Sequence, residues 1–306
     1  ALADALGRDE TVLDAHIRVG ERSGPKPFEA RPDSDGSGGG ERFAVRNSGV
    51  KAGVVLRLRH HCESMCGRYT LFTPTDELEA RFDATFEDPP EPRYNCAPGQ
   101  SLPVIANDDP DTFRRLKWGL IPSWADDESA GNDRINARAE TVDEKASFRE
   151  AYERRRCLVP ADGFYEWVRD GETKRPYRVA FDDDRPFAMA GLWERWEPTH
   201  TQAGLGDFGG GVGDESDAGD EQSAAVESFA IVTTEPNDVV SGLHHRMAVV
   251  LDPEAESTWL RGDGEDVAGL LEPHVGEDWR AYPVSTRVNS PANDAADLID
   301  PVEAGG

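Results

Sequence analysis

Short strand-like runs recur along the chain with few helical segments between them. Thr112–Leu120, Gly163–Val168, Tyr177–Phe181, Phe187–Trp193, Ser228–Thr234, Met247–Leu251 and Tyr282–Thr286 are rich in aromatic and β-branched residues, which suit a pleated, half-buried surface. Helical patterns are scarcer. Thr75-Asp76-Glu77-Leu78 opens one, with Leu78 and Phe82 on one face. Val142–Arg155 reads as the longest helix, and Asp252-Pro253 supplies an N-cap and first-turn proline for another through Trp259-Leu260. Because the strands do not alternate with helices as βαβ units would, the expected class is α+β. Its core is a mainly antiparallel sheet or barrel with a few peripheral helices.

Charge divides the chain at Met65. Residues 1–64 hold ten acidic and ten basic side chains, so the whole net charge of −27 falls on the remaining 242 residues. The first segment reads as an extension, with a flexible Ser34–Gly40 linker and interruptions at Pro25, Pro27 and Pro32. Its one alternating run, Val54–Arg59, fits an edge strand or translated sequence upstream of a true start at Met65. Residues 65–301 form the expected domain, followed by a tail at 302–306. Residues 198–227, rich in Gly, Asp, Glu and Ser, read as a disordered acidic insertion between two strands. Only five of the 33 basic residues are Lys. An acid-rich, Lys-poor surface suggests adaptation to concentrated salt, where screening relieves self-repulsion. Seven Trp and twelve Phe argue for a packed core rather than a disordered polyanion.

Taken alone, such acidity argues against a nucleic-acid binder. There is no long apolar run for a membrane span and no secretory leader pattern, which points to the cytoplasm; a monomer is expected. Four cysteines, Cys62, Cys66, Cys96 and Cys157, are then free, catalytic or metal-bound rather than disulfide-paired.

Met65-Cys66 holds the most reactive possibility. Translation from Met65 followed by loss of that Met would leave Cys66 with a thiol and a free α-amine. An α-amine has a pKa of about 7.7–8 and is a useful nucleophile near neutrality. It condenses with an aldehyde, and the neighbouring thiol closes a five-membered thiazolidine at high effective concentration. From the dipeptide alone, a buried structural cysteine is the favoured reading. Gly163-Phe164-Tyr165-Glu166-Trp167 sets an acid among aromatics, where apolar surroundings would raise its pKa for proton transfer. Leu243-His244-His245-Arg246-Met247 combines proton shuttles with a phosphate-binding cation. Tyr94-Asn95-Cys96-Ala97-Pro98 places an amide in an expected turn, where it positions a reacting group or caps a loop.

Met65–Tyr69, Arg93–Pro98, Trp118–Trp124, Ile135–Thr141, Asp162–Trp167, Leu243–Met247 and Val284–Thr286 follow the order found in the SRAP family of SOS-response-associated peptidases, or abasic-site-processing proteins. The chain resembles that family over residues 65–301. The resemblance implies capture of the ring-opened abasic-site aldehyde in single-stranded DNA, as a thiazolidine on the N-terminal cysteine. It further implies self-processing peptidase and AP-lyase activity. By motif, Cys66 is the nucleophile, Asn95 holds the sugar hydroxyl or ring, and Glu166 positions the amine and exchanges protons. His244 assists Schiff-base proton transfer and β-elimination. Arg68, Arg138 and Arg246 grip the backbone, while Trp118 and Asn136 belong to the DNA-facing segments. An arginine cleft within an acidic shell is expected.

The sequence departs from the family pattern at Ala248, where Pro is usual, and at His245, where Asp is common. The extension before Cys66 would block its α-amine. Two other function classes remain: a thiol peptidase using Cys66, His244 and Glu166, and a non-catalytic single-strand binder. A zinc site from His60, His61, Cys62 and Cys66 with Cys96 or Cys157 lacks a Cys-x-x-Cys pair and straddles the charge seam. No metal or cofactor is therefore expected.

Overall fold

In the computed structural model, residues 67–170, 173–198, 224–275 and 278–303 are described; all lie in the unit His60–Gly306. Fourteen strands are defined among them. They are β1 (Tyr69–Leu71), β2 (Thr85–Phe86), β3 (Arg93–Cys96), β4 (Ser101–Ala106), β5 (Asp109–Trp118), β6 (Asn136–Arg138) and β7 (Arg156–Ala161). The rest are β8 (Gly163–Asp170), β9 (Thr173–Phe181), β10 (Phe187–Trp196), β11 (Val226–Thr234), β12 (Met247–Ala248), β13 (Val250–Leu251) and β14 (Trp279–Pro283). Five short α-helices accompany them: α1 (Thr75–Phe82), α2 (Arg149–Arg154), α3 (Asp238–Ser241), α4 (Pro253–Arg261) and α5 (Gly264–Ala268).

Five strands close on themselves in the order β11-β10-β7-β4-β5, and a parallel pairing of β5 with β11 completes the ring. Closure leaves these strands no unpaired edge. The α+β expectation with a barrel-like core therefore holds. A second sheet, β14-β9-β8-β1-β3, carries the segments nearest the candidate site. Strand β10 is buried along nearly its whole length, with Trp193 and Trp196 among its core residues. Trp118 packs against Tyr69, tilted by 54° at a ring distance of 5.3 Å, and stacks on Phe229 at 6.1 Å. Such contacts are among the largest apolar burials a side chain offers. Arg156 ties the barrel to its helices, donating to Trp259 O at 2.6 Å and Tyr152 O at 2.6 Å.

Several local expectations change. Residues 142–148 form turns, so the helix expected over Val142–Arg155 is confined to Arg149–Arg154, and α4 is the longest described helix. That stretch has no sustained i, i+3, i+4 apolar face to bury. Asp252 occupies the N-cap of α4, but its carboxylate engages His274 Nε2 at 3.1 Å instead of capping an amide. The run Met247–Leu251 breaks at Val249: β12 pairs with β11 and β13 with β10. Beyond Pro283 the chain leaves β14, and Thr286–Asn289 is a 3₁₀ turn. Trp196 faces Val226 across β10 and β11, while 199–223, most of the expected insertion, lie outside the described residues. Among the described residues no helix is long and apolar enough to cross a membrane.

Candidate functional site

A cleft of about 500 Å³ opens where β8 outruns β1. Tyr69 pairs with Phe164, and the Tyr165 amide donates to Arg68 O at 3.0 Å. Gly67 then reaches the cleft wall, which Glu166 and Trp167 of β8 also line. Gly163 starts this strand for a steric reason. A β-carbon there would lie 2.8 Å from Arg178 Nε, inside the buried guanidinium that donates to Asp162 O at 2.7 Å. Asp162 in turn accepts from the Phe72 and Thr73 amides at 2.6 and 2.9 Å, pinning the end of β1 beside β8. Burial raises the Asp162 pKa, and these hydrogen bonds oppose that rise.

The opposite wall is built by the turn after α3. Asn237 caps this short helix by accepting from the Val240 amide, and the His244 amide donates back to Val240 O at 2.9 Å. That turn delivers His244 beside Glu166: Nδ1 lies 3.9 Å from Oε2. The same Nδ1 lies 3.2 Å from both the amide nitrogen and the carbonyl oxygen of Arg246, which hold the ring in place. Glu166 is 1% exposed, so the pair sits in a largely desolvated corner. A carboxylate and an imidazole at this separation can take and return protons at a reacting carbon bound beside them.

Of the residues expected from sequence, Glu166 and His244 come together and Arg68 joins them in the cleft wall. Cys66, and the rival metal ligands His60, His61 and Cys62, lie outside the described residues. Gly67, the neighbour of Cys66, lines the cleft.

Other residues need correction. Asn95 lies on β3 rather than in a turn and is fully buried. Its amide nitrogen lies 3.2, 3.1 and 2.8 Å from the Val288, Ser290 and Asn293 carbonyl oxygens, which share its two hydrogens, and its Oδ1 accepts from Arg68 at 2.9 Å. It therefore joins Arg68 to the 288–293 loop. Arg68 also donates to Val288 O at 2.6 Å and Asn289 O at 3.2 Å, and burial lowers its pKa. Arg246 is mostly buried, its guanidinium bonded to Glu140 and Thr233. Arg138 is exposed on β6, outside the cleft wall.

Trp118 is 1% exposed and donates to Ile135 O at 2.9 Å, which makes it a core residue; the exposed tryptophan of that motif is Trp124. Asn136 opens β6, in parallel register with Ile231. Cys96 and Cys157 are buried on separate strands, and desolvation pushes both thiols far above the ordinary range, leaving them unreactive. Among the described residues no His, Cys, Asp and Glu cluster could hold a metal ion.

Sequence reasoning missed Trp167, Arg169, Lys174 and Asn289 in the cleft wall. The available signal was Lys174 itself, one of five lysines in the chain.

Residues 65–291 match the SOS response associated peptidase (SRAP) family. The chain belongs to that family. Among its relatives, abasic site processing protein YoaM of Bacillus subtilis is 39% identical over 244 residues, 77% of this chain and 98% of the relative. Abasic site processing protein YoqW of the same organism is 38% identical over 244 residues, covering 77% and 99%. A crystal structure of a protein from Bacteroides thetaiotaomicron matches with a TM-score of 0.64 at 26% identity, covering 78% of this chain and 100% of that one. Within the SRAP family framework, the Gly67–Glu166–His244 cleft is the place to look for chemistry.

Proposed function

We propose that this protein processes abasic sites in single-stranded DNA by covalent capture on Cys66. The supporting observation is that Gly67, Glu166 and His244 line one cleft. Cys66 precedes Gly67 by one peptide unit, about 3.8 Å between α-carbons. Two relatives carrying the name abasic site processing protein, nearly full-length matches, support the substrate class.

The reading requires a free α-amine on Cys66, hence an active form without residues 1–65, either begun at Met65 or produced by self-processing. The unprotonated amine attacks the C1′ aldehyde of the ring-opened sugar and forms a carbinolamine. A proton delivered to the carbinolamine hydroxyl lets it leave as water, giving a Schiff base. The thiol sulfur then adds to the imine carbon while its proton passes to nitrogen, closing the thiazolidine. In this scheme Glu166 exchanges protons with the amine and hydroxyl, and His244 serves the imine step and reversal. β-Elimination at the 3′ phosphate, the lyase outcome, would proceed from the Schiff base before ring closure. Asn95 acts through Arg68 and the 288–293 loop as a positioning residue.

The acidic, Lys-poor surface we read as adaptation to concentrated salt. A covalent bond suits that setting, because ionic phosphate contacts weaken steeply as salt rises.

The test is crosslinking of protein beginning at Cys66 to a single-stranded oligonucleotide with one abasic site, resolved under denaturing conditions. Acetylating the α-amine should abolish the adduct, whereas a thiol peptidase acting through Cys66, His244 and Glu166 would keep its activity.

A further inference from the structure

Strand β8 carries Glu166 past the end of its neighbour β1. The contact between them finishes where the Tyr165 amide meets Arg68 O. Beyond that point, among the described residues, Glu166 and Trp167 pair in the sheet with β9 alone, opposite Tyr177 and Pro176. A two-stranded ribbon is marginally stable by itself, and ends of this kind open locally. One residue from the far end of the chain reaches this overhang. Asn289 Oδ1 accepts from the Trp167 indole Nε1 at 2.7 Å, and Asn289 O accepts from Arg68 at 3.2 Å. Trp167 directly follows Glu166, and Arg68 stands two residues after Cys66. Asn289 thus touches both the overhanging end of β8 and the segment leading back to Cys66, and it lines the cleft itself. Its own place is secure. The preceding residue, Val288, is fully buried with Tyr165 and Val284, and its carbonyl accepts from Arg68 and Asn95.

We propose that Asn289 is a positioning residue: its side-chain bond to Trp167 holds the overhanging end of β8, and with it Glu166, in alignment with Cys66. The inference rests on the abasic-site reading and adds to it the residue that aligns base and nucleophile. Proton exchange needs heavy atoms within about 2.6–3.2 Å of one another, and a misplacement of about 1 Å can cost about 10²-fold in rate. The bond suits alignment better than fold stability, because Asn289 is exposed and one such hydrogen bond adds little to folding. Asn289 is not among the residues with positive φ, so its backbone accepts alanine without strain.

Hydrogen exchange in the free protein, read by mass spectrometry over Glu166–Arg169, tests the tether without DNA. Asn289→Ala keeps the backbone carbonyl on Arg68 and loses the indole bond, so exchange there should quicken about threefold to tenfold. Trp167→Phe should do the same, and the double variant should add nothing further, since both remove one shared bond. Asn289→Asp keeps an acceptor oxygen and should exchange as the parent does. Single-turnover crosslinking to a single-stranded abasic oligonucleotide reads the consequence. In Asn289→Ala the limiting rate should fall about tenfold, while the half-saturating oligonucleotide concentration and the melting temperature stay at the parent's values. Parent-like exchange in Asn289→Ala, or alanine-like exchange in Asn289→Asp, refutes the tether. Faster exchange with a parent-like limiting rate refutes its part in alignment, as does a rate loss matched by a lower melting temperature. If the parent forms no adduct, the covalent reading falls, and exchange alone decides the tether.

Discussion

His244 Nδ1 stands 3.9 Å from Glu166 Oε2, with the imidazole held against the Arg246 backbone and the carboxylate almost wholly buried. The separation is longer than a hydrogen bond and short enough for both groups to address one bound carbon. Glu166→Gln removes a proton acceptor while keeping the shape, and His244→Ala removes the second. Each should slow adduct formation or its reversal by about 10²–10⁴-fold. Single-turnover crosslinking rates, with melting temperature as the fold control, measure this. Unchanged rates in both variants would remove the pair from the chemistry.

Asn95 makes its contribution through structure. Asn95→Ala strips the bonds that join Arg68 to the 288–293 loop and leaves buried carbonyls unsatisfied. A loss of about 2–4 kcal/mol in unfolding free energy is expected, read from denaturant melts. A variant as stable as the parent would show that the clamp carries no weight.

The two tryptophans of one motif should separate cleanly. Trp118→Ala opens a cavity in the core and should cost about 3–5 kcal/mol. Trp124 is 59% exposed, and Trp124→Ala should stay within about 0.5 kcal/mol of the parent. Paired denaturant melts check both values.

The Glu140–Arg246 ion pair sets a pH dependence. The hydrogen bond from Arg246 holds the Glu140 carboxyl below its ordinary value. A depressed carboxyl stabilises the fold fully above the unfolded-state pKa, about 4.3, and loses that contribution as pH falls through the folded value. Glu140→Gln should therefore melt lower than the parent at pH 7, by about 1 kcal/mol or less, and the difference should vanish toward pH 3. A gap that widens on acidification would reverse the assignment.

Much of the barrel was legible in the sequence, because Phe187–Trp193 and Ser228–Thr234 are long apolar runs that identify themselves as strands. Shorter strands were not. Asn95 sits in a four-residue strand flanked by Pro92 and Pro98, where turn chemistry dominates the local signal. Glu166 and His244 stood out by residue type, but their meeting depends on β8 outrunning β1 and on the turn after α3. Trp118 and Trp124 look equivalent as letters, and only the packing of Tyr69 and Phe229 around Trp118 separates core from surface. Arg246 carried the same ambiguity, since a phosphate ligand and a buried ion-pair partner are both arginine.

Screening gives a further prediction from the acidic surface. Raising KCl shortens the Debye length from about 10 Å at 0.1 M to about 3 Å at 1 M, so the melting temperature should climb across that range. A flat or falling curve would contradict salt adaptation.

The central claim is a covalent bond at Cys66, and intact-mass spectrometry of the crosslink tests it most directly. Protein beginning at Cys66, mixed with a single-stranded abasic oligonucleotide, should yield a denaturation-resistant species weighing the sum of the two less one water. Peptide mapping should place the link on Cys66, and Cys66→Ser should leave no stable adduct. A stable adduct of equal yield from Cys66→Ser, or a link mapped to another residue, would contradict the account.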